Sequence, residues 1–242
     1  MGVMKLKFDA GVIKIVETIE SAGYEAWIVG GAVRDLLLDI PSSDWDVTTN
    51  ATPEQIQPLF TECFYDNEYG TVKVAGKHIR DQFKLAEGEI DDSILYDITT
   101  YRSESDYSDK RRPDSVEWGK TVEEDLKRRD FTINAIAINL KEQIVDPYGG
   151  QADLKNKLIK AVGDPMERFE EDALRIMRAI RLSAQLGFMI EEQTLMALKE
   201  KVSNLKEISW ERIGAETMKL LGTEHATDGI QLMVNTGIIE IV

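Results

Sequence analysis

The chain has 242 residues, 43% of them hydrophobic, which is ample for an ordinary packed core in one large domain or two small ones. With 29 Lys and Arg against 44 Asp and Glu, its formal net charge of -15 argues against a protein that coats nucleic acid non-specifically. No apolar run approaches the ~20 residues of a membrane span, and MGVMKLKFDAG at the amino terminus lacks a signal-peptide core, so a soluble cytoplasmic protein with no membrane partner is expected.

In chain order, Asp9 to Ala22 carries apolar residues at helical spacing, ended by Gly23. The stretch AWIVGGAVRDLLLDIPSSDWDVTT, from Ala26 to Thr49, reads as strand, glycine turn, helix, turn and strand. Thr52-Pro53-Glu54 has the form of a helix start. The lone cysteine, Cys63, allows no internal disulfide and reads as a buried structural thiol. Tyr69 to Val74 and Ile94 to Tyr101 are strands by composition, separated by an acidic excursion, Lys77 to Ser93, that reads as a surface hairpin or loop. Arg102 to Val116 is highly charged and without apolar periodicity, which fits a mobile, functional loop.

Thr121 begins a short helix that runs to about Arg129. The segment FTINAIAINL, from Phe131 to Leu140, is ambiguous between helix and strand, and Ile144 to Gly150 reads as a short strand and turn. A further strand follows at Leu158 to Val162. From Asp164 onward only helices are expected, over Glu170 to Leu186, Glu191 to Val202, Ser209 to Leu221 and Thr227 to Val234. An α+β domain thus gives way to a helical one between Gly150 and Pro165.

Four constellations carry chemistry. Asp44 and Asp46 alternate to one side of a strand while Trp45 turns to the other, and a neighbouring strand can present Asp97, which makes an oxygen-rich site suited to Mg²⁺. Alone, such a pair of aspartates more often marks a turn or a solvated strand end. Gly30, Gly31 and Arg34 let backbone N–H groups and a forked donor approach a phosphate, against the alternative of a tight packing turn. The third is Arg128-Arg129-Asp130-Phe131-Thr132-Ile133-Asn134. The fourth is EEDALRIMRAIR, where Arg175, Arg178 and Arg181 follow Asp172 along one side of a helix and Leu174, Met177, Ile180 and Ala184 lie on the opposite arc. A solvated amphipathic helix gives the same plot.

Together GGAVRDLLL, DWD, TTYR, RRDFTINA, DPYGG with its following DL, and EDALRIMRAIR occur in the order seen in class II tRNA nucleotidyltransferases, the CCA-adding enzymes, and in the related bacterial poly(A) polymerases. The chain resembles this family from roughly Gly23 to Leu221. The resemblance implies an α+β, polymerase-β-like nucleotidyltransferase head with a mixed β-sheet, over residues 1–152. A helical neck that recognises the nucleobase would span 153–213, and the start of a helical body 214–242. Asp44, Asp46 and Asp97 would be the catalytic metal-binding carboxylates. Gly30, Gly31 and Arg34 would form the nucleotide-phosphate turn, with Arg129, Asp130 and Asn134 as further nucleotide contacts. Asp172 and Arg175 would read the Watson–Crick edge of CTP or ATP, with Arg178 and Arg181 near the triphosphate. Arg102, Tyr107, Asp109, Arg111 and Arg112 would belong to a flexible loop used in switching from C to A.

The implied reaction is nucleotidyl transfer from CTP and ATP to the 3′ end of tRNA with two Mg²⁺ ions and release of pyrophosphate. Rival readings are a poly(A) polymerase or an A-only adding enzyme, and a nucleotide- or RNA-binding module inactive without its tail. The family continues beyond the point where this chain stops, so either a shortened chain or a minimal member is expected. Helices after Ser209 would leave apolar faces for a homodimer or another partner to cover.

Overall fold

The structure is a computed structural model and describes residues 6–42, 44–66, 70–103 and 118–242. Two compact units divide the chain: residues up to 103 with 118–129 and 134–147 form the first, and residues 130–133 with 148–242 the second.

The first unit begins with α1 (Ala10–Ser21), whose Val12, Ile15, Val16 and Ile19 are fully buried at the helical spacing read from the sequence. Asp9 caps it by accepting from the Gly11 and Val12 amides at 2.8 and 3.1 Å, and the Tyr96 hydroxyl donates to the same carboxylate at 2.6 Å. There follow β1 (Ala26–Val29), α2 (Gly31–Leu37), β2 (Trp45–Thr49) and α3 (Pro53–Ile56). At the start of α3 Thr52 and Gln55 form a capping box. The unit continues through β3 (Phe64–Asp66), β4 (Thr71–Ala75), α4 (Gly76–Phe83), β5 (Leu95–Thr100), α5 (Val122–Lys127), β6 (Ala137–Ile138) and β7 (Ile144–Val145).

These strands make one mixed sheet in the order β3-β4-β5-β2-β1-β6-β7. Only the β2–β5 pair is parallel among the assigned pairings of this sheet, and its register sets Asp46 opposite Asp97. On the far side of β5, Asp97 is opposite Lys73 of β4. Because side chains on paired residues share a face, three strands place Lys73, Asp97 and Asp46 side by side. The ambiguous FTINAIAINL segment contains a 3₁₀ turn, Thr132–Asn134, and the strand β6.

Two expectations for this unit are corrected. The excursion after Lys77 is not all hairpin or loop, because its first part is α4. Ile79 is that helix's one large fully buried side chain, too sparse a signal for helical periodicity, and α4 ends at Lys84 in the left-handed region (φ 54°) without the usual glycine. Cys63 is free and only half-buried, with partial desolvation pushing its thiol pKa up.

The second unit contains α6 (Gly150–Asn156), β8 (Leu158–Ile159), α7 (Pro165–Glu171), α8 (Leu174–Leu186), β9 (Met189–Ile190), α9 (Glu192–Lys201), α10 (Trp210–Leu221) and α11 (Ala226–Thr236). It is not purely helical after Asp164, since β9 pairs in parallel with β8. The single helix expected over Glu170 to Leu186 is two, broken at Asp172, whose backbone is extended (φ -146°, ψ 102°). Its carboxylate accepts from the Leu174 amide at 3.0 Å, so the side chain starts a new helix where periodicity alone would continue the old one.

In α8, Leu174, Met177, Ile180 and Ala184 are buried as the apolar arc requires, and α10 and α11 pack on this helix. A Cβ on Gly229 would come within 3.0 Å of the Ala184 Cβ, so glycine permits the close crossing of α11 over α8. Trp210, Met218, Leu221 and Val234 remain exposed. Among the described residues no helix is long and apolar enough to cross a membrane.

Candidate nucleotidyl-transfer site

In the first unit, the turn between β1 and α2 is built on Gly30, whose φ of 76° and ψ of -143° suit only glycine. Space imposes the same choice. A Cβ here would lie 3.0 Å from Arg129 Nη1 and 3.1 Å from Asp46 Oδ2. The glycine turn, the arginine of RRD and the second aspartate of DWD therefore meet at one point, although the sequence separates Arg129 from Gly30 by about 100 residues.

Arg34 is buried, its Nε donating to Asp35 Oδ1 at 2.8 Å and its Nη1 to Asn134 Oδ1 at 3.0 Å. It is thus a fixed donor that joins the glycine turn to the RRDFTIN segment. Gly31 opens α2 directly after the turn.

Asp46 is half-buried and Asp44 exposed, with Trp45 between them buried as alternation requires. Burial pushes the Asp46 carboxyl up to about 6; Arg129 and Lys73 oppose this, while the negative charges of Asp44 and Asp97 add to it. Asp97 is differently occupied: Lys73 Nζ donates to both its oxygens at 2.9 and 2.7 Å.

Among the described residues no group of three or more His, Cys, Asp or Glu is arranged as a metal centre. Of the three expected acids, Asp97 is opposite Asp46 in the sheet and pairs with Lys73. Asp44 and Asp46 nevertheless fit a divalent cation by the chemistry of their donors: they are hard carboxylate oxygens on one side of a strand, and the negative charges of Asp44 and Asp97 near Asp46 add to the burial that raises its carboxyl.

Two residues of this region were not singled out in the sequence. Lys73 is a lone cation in the apolar strand YGTVKV, facing the same side as Asp97, and its strand position was a usable signal. Asp125 is fully buried and binds both Arg128 and Arg129. Its spacing of three and four residues before that arginine pair was readable on a helix.

In the second unit, Asp130 is buried and accepts from the Phe131 amide at 2.8 Å and from Arg178 Nε at 2.7 Å. The charge of Asp130 raises the pKa of Arg178, with hydrogen bonding adding to the effect and desolvation opposing it. Asp172 receives Arg212 Nη2 at 2.8 Å, and Arg175 Nη1 donates to the Arg168 carbonyl at 3.0 Å and to Glu171 at 2.5 Å. Arg181 donates from Nε to Glu216 at 2.6 Å and from Nη1 to Gln185 at 2.7 Å. A solvated face does not describe this helix: Arg175 and Arg181 have side-chain exposures of 10% and 13% and each is ion-paired.

Arg212 and Glu216 are a further pair that sequence reasoning missed. Their spacing on α10 (ERIGAE) was the available signal. Of the expected loop residues, Arg102 forms a β-bridge with Trp118, whereas Tyr107, Asp109, Arg111 and Arg112 lie outside the described residues.

A family model described as "Poly A polymerase head domain" matches residues 26–160, more than half of the chain and all of the glycine-turn, DWD and RRD segments. The chain belongs to this poly(A) polymerase head family. A second model, "Probable RNA and SrmB- binding site of polymerase A", matches residues 187–242.

Among curated members, the chain is 47% identical to a CCA-adding enzyme of Lactobacillus helveticus over 229 residues, covering 94% of this chain and 54% of that protein. It is 43% identical to one of a Geobacillus species over 93% of this chain and 52% of that protein. Among solved structures, the Bacillus stearothermophilus CCA-adding enzyme in complex with CTP aligns with a TM-score of 0.81 and 37% identity, covering 94% of this chain and 52% of that one. The Thermotoga maritima CCA-adding enzyme complexed with tRNA aligns at 0.74 and 26% identity, over 95% and 51%. The chain spans about half the length of the family members it matches, and its mixed-sheet head has their polymerase-β-like fold.

Proposed function

We propose that this chain carries the catalytic and nucleotide-selecting part of a tRNA nucleotidyltransferase that adds CCA, transferring CMP and AMP from CTP and ATP to the 3′ end of tRNA with release of pyrophosphate. The observation that carries this reading is the meeting of Gly30, Asp46 and Arg129 at one point of a sheet whose register sets Asp97 beside Asp46. Relatives at 43–47% identity are named CCA-adding enzymes, and solved relatives are described with CTP and with tRNA. We assign residues 1–152 to the head, 153–213 to the neck and 214–242 to the beginning of the body.

Asp44 and Asp46 would hold Mg²⁺, which supplies a Lewis acid at the phosphoryl group and lowers the pKa of the attacking hydroxyl. Asp97 joins them only when Lys73 releases it. The Gly30 turn leaves room for a phosphate to approach the backbone, and Arg129 presents Nη1 there to stabilise the charge of the departing pyrophosphate. Arg34, fixed by Asp35 and Asn134, keeps a second guanidinium at the turn. In the second unit, the carboxylate of Asp172 and the guanidinium of Arg175 offer an acceptor and a donor of the kind that reads a base edge; Arg178 and Arg181 supply positive charge.

The test uses tRNAs ending before CCA, after C and after CC, each incubated with one labelled nucleotide and Mg²⁺. Incorporation of CMP on the first two and a single AMP on the third is expected. Long tails from ATP alone would reassign the chain as a poly(A) polymerase, and nucleotide binding without transfer would reduce it to a binding module.

A further inference from the structure

Asp125 lies on α5 with no exposure to water, a placement that strongly disfavours an ionised carboxylate unless partners compensate. Two arginines do so in different ways. Arg128 closes on Oδ1 with Nε at 2.9 Å and Nη2 at 2.6 Å, whereas Arg129 gives Oδ2 a single bond from Nη2 at 3.0 Å. The remaining nitrogens of Arg129 are thereby aimed elsewhere. Nη1 stands 3.0 Å from the position a Gly30 Cβ would take, with Asp46 Oδ2 3.1 Å from the same position. Nε is buried with no hydrogen-bond partner among the described residues. A guanidinium is a rigid planar fork, so fixing one terminal nitrogen orients the other two.

We propose that Asp125 is a positioning residue, which holds Arg129 so that Nη1 faces the Gly30 turn to receive nucleotide phosphate and is kept from closing on Asp46. The inference rests on the nucleotidyl-transfer reading and deepens it, because it explains how an arginine stands beside a metal-binding carboxylate without neutralising it. Asp125 touches no reacting atom and acts only through Arg129. Without its anchor, the carboxylate left beside Arg129 is Asp46; pairing between them would remove a phosphate donor and a cation ligand together.

The experiment measures CTP dissociation constants, KM, kcat and thermal midpoints for the wild-type chain, Asp125→Asn, Asp125→Glu, Arg129→Ala and the Asp125→Asn/Arg129→Ala double variant. Asp125→Asn is expected to weaken CTP binding about tenfold or more, the scale of one charge-assisted hydrogen bond, and to raise KM as well as lower kcat. In the double variant CTP binding should match Arg129→Ala alone, a coupling that a merely structural role would not produce. Should Asp125→Asn not fold, Asp125→Glu carries the test: it keeps the charge, moves the anchor by one methylene, and should lose CTP affinity with a thermal midpoint close to wild type. Wild-type CTP affinity in either folded variant, or a full additional loss in the Arg129→Ala background, overturns this inference alone. A wild-type chain that binds neither CTP nor pyrophosphate overturns the functional reading and this inference with it.

Discussion

At the scale of single residues, the site depends on charges that are buried and opposed. Desolvation alone would raise the Asp125 carboxyl, but the Arg128 and Arg129 guanidiniums beside it override that and hold it at about 2, below the ordinary 3.8. A depressed carboxylate pKa stabilises the fold above the unfolded value and ceases to do so as pH falls through the folded one. Asp125 should therefore contribute about 2 kcal/mol at neutral pH, lost progressively between about pH 4 and pH 2. Denaturant unfolding at intervals across that range measures it: the wild-type chain should lose more stability on acidification than Asp125→Asn, and parallel curves would show that the ion pair is not a determinant.

The DWD pair, the glycine turn and the RRD arginine were legible at this scale because side-chain chemistry and strand alternation speak locally. Lys73 and Asp125 were not picked out, because their significance lies in what they face across strands or within a buried turn.

At the scale of elements, periodicity located helices and strands well where one face is buried throughout. Both α1 and the apolar arc of α8 show this. It failed where a short polar feature overrode it. The break at Asp172 is the clearest case: the apolar pattern runs through it, yet a carboxylate capping the Leu174 amide starts a separate helix. The helix α4 was hidden for the opposite reason, having one fully buried large side chain and a non-glycine stop.

The same limit concealed how α8 is tied to α10. Arg181 reads as a free donor on a polar stripe, but Glu216 meets it in a buried pair whose carboxylate side chain is 6% exposed. Removing one partner of such a pair is costly because the other charge stays buried, whereas replacing both by apolar groups is not. Glu216→Gln is expected to lower stability by roughly 3 kcal/mol and Arg181→Met/Glu216→Leu to recover most of it. Urea unfolding of the two variants checks this, and an unchanged midpoint for Glu216→Gln would contradict it.

At the scale of the whole molecule, the chain separates into two compact units, the first holding the residues proposed for phosphate and metal and the second those proposed for reading the nucleobase. The expected passage from an α+β region to a helical one lies between Gly150 and Pro165; the second compact unit begins at Tyr148 and also takes in residues 130–133. Sequence periodicity could not show that last detail, because residues 130–133 join the second unit through the Phe131–Ala161 bridge and the Asp130–Arg178 pair, which are long-range contacts.

If the two units have separate tasks, their variants must fail differently, and one assay reads both failures. Wild-type chain, Asp46→Asn and Asp172→Ala are each given a tRNA lacking CCA, Mg²⁺ and one labelled nucleotide at a time, CTP, ATP, UTP or GTP, with folding confirmed by circular dichroism. Asp46→Asn is expected to lose transfer of every nucleotide at least about a hundredfold, the consequence of losing several kcal/mol of cation-dependent stabilisation. Asp172→Ala should retain measurable transfer but no longer prefer CTP over UTP. A folded Asp46→Asn variant with wild-type transfer, or an Asp172→Ala variant with wild-type preference for CTP, would contradict it.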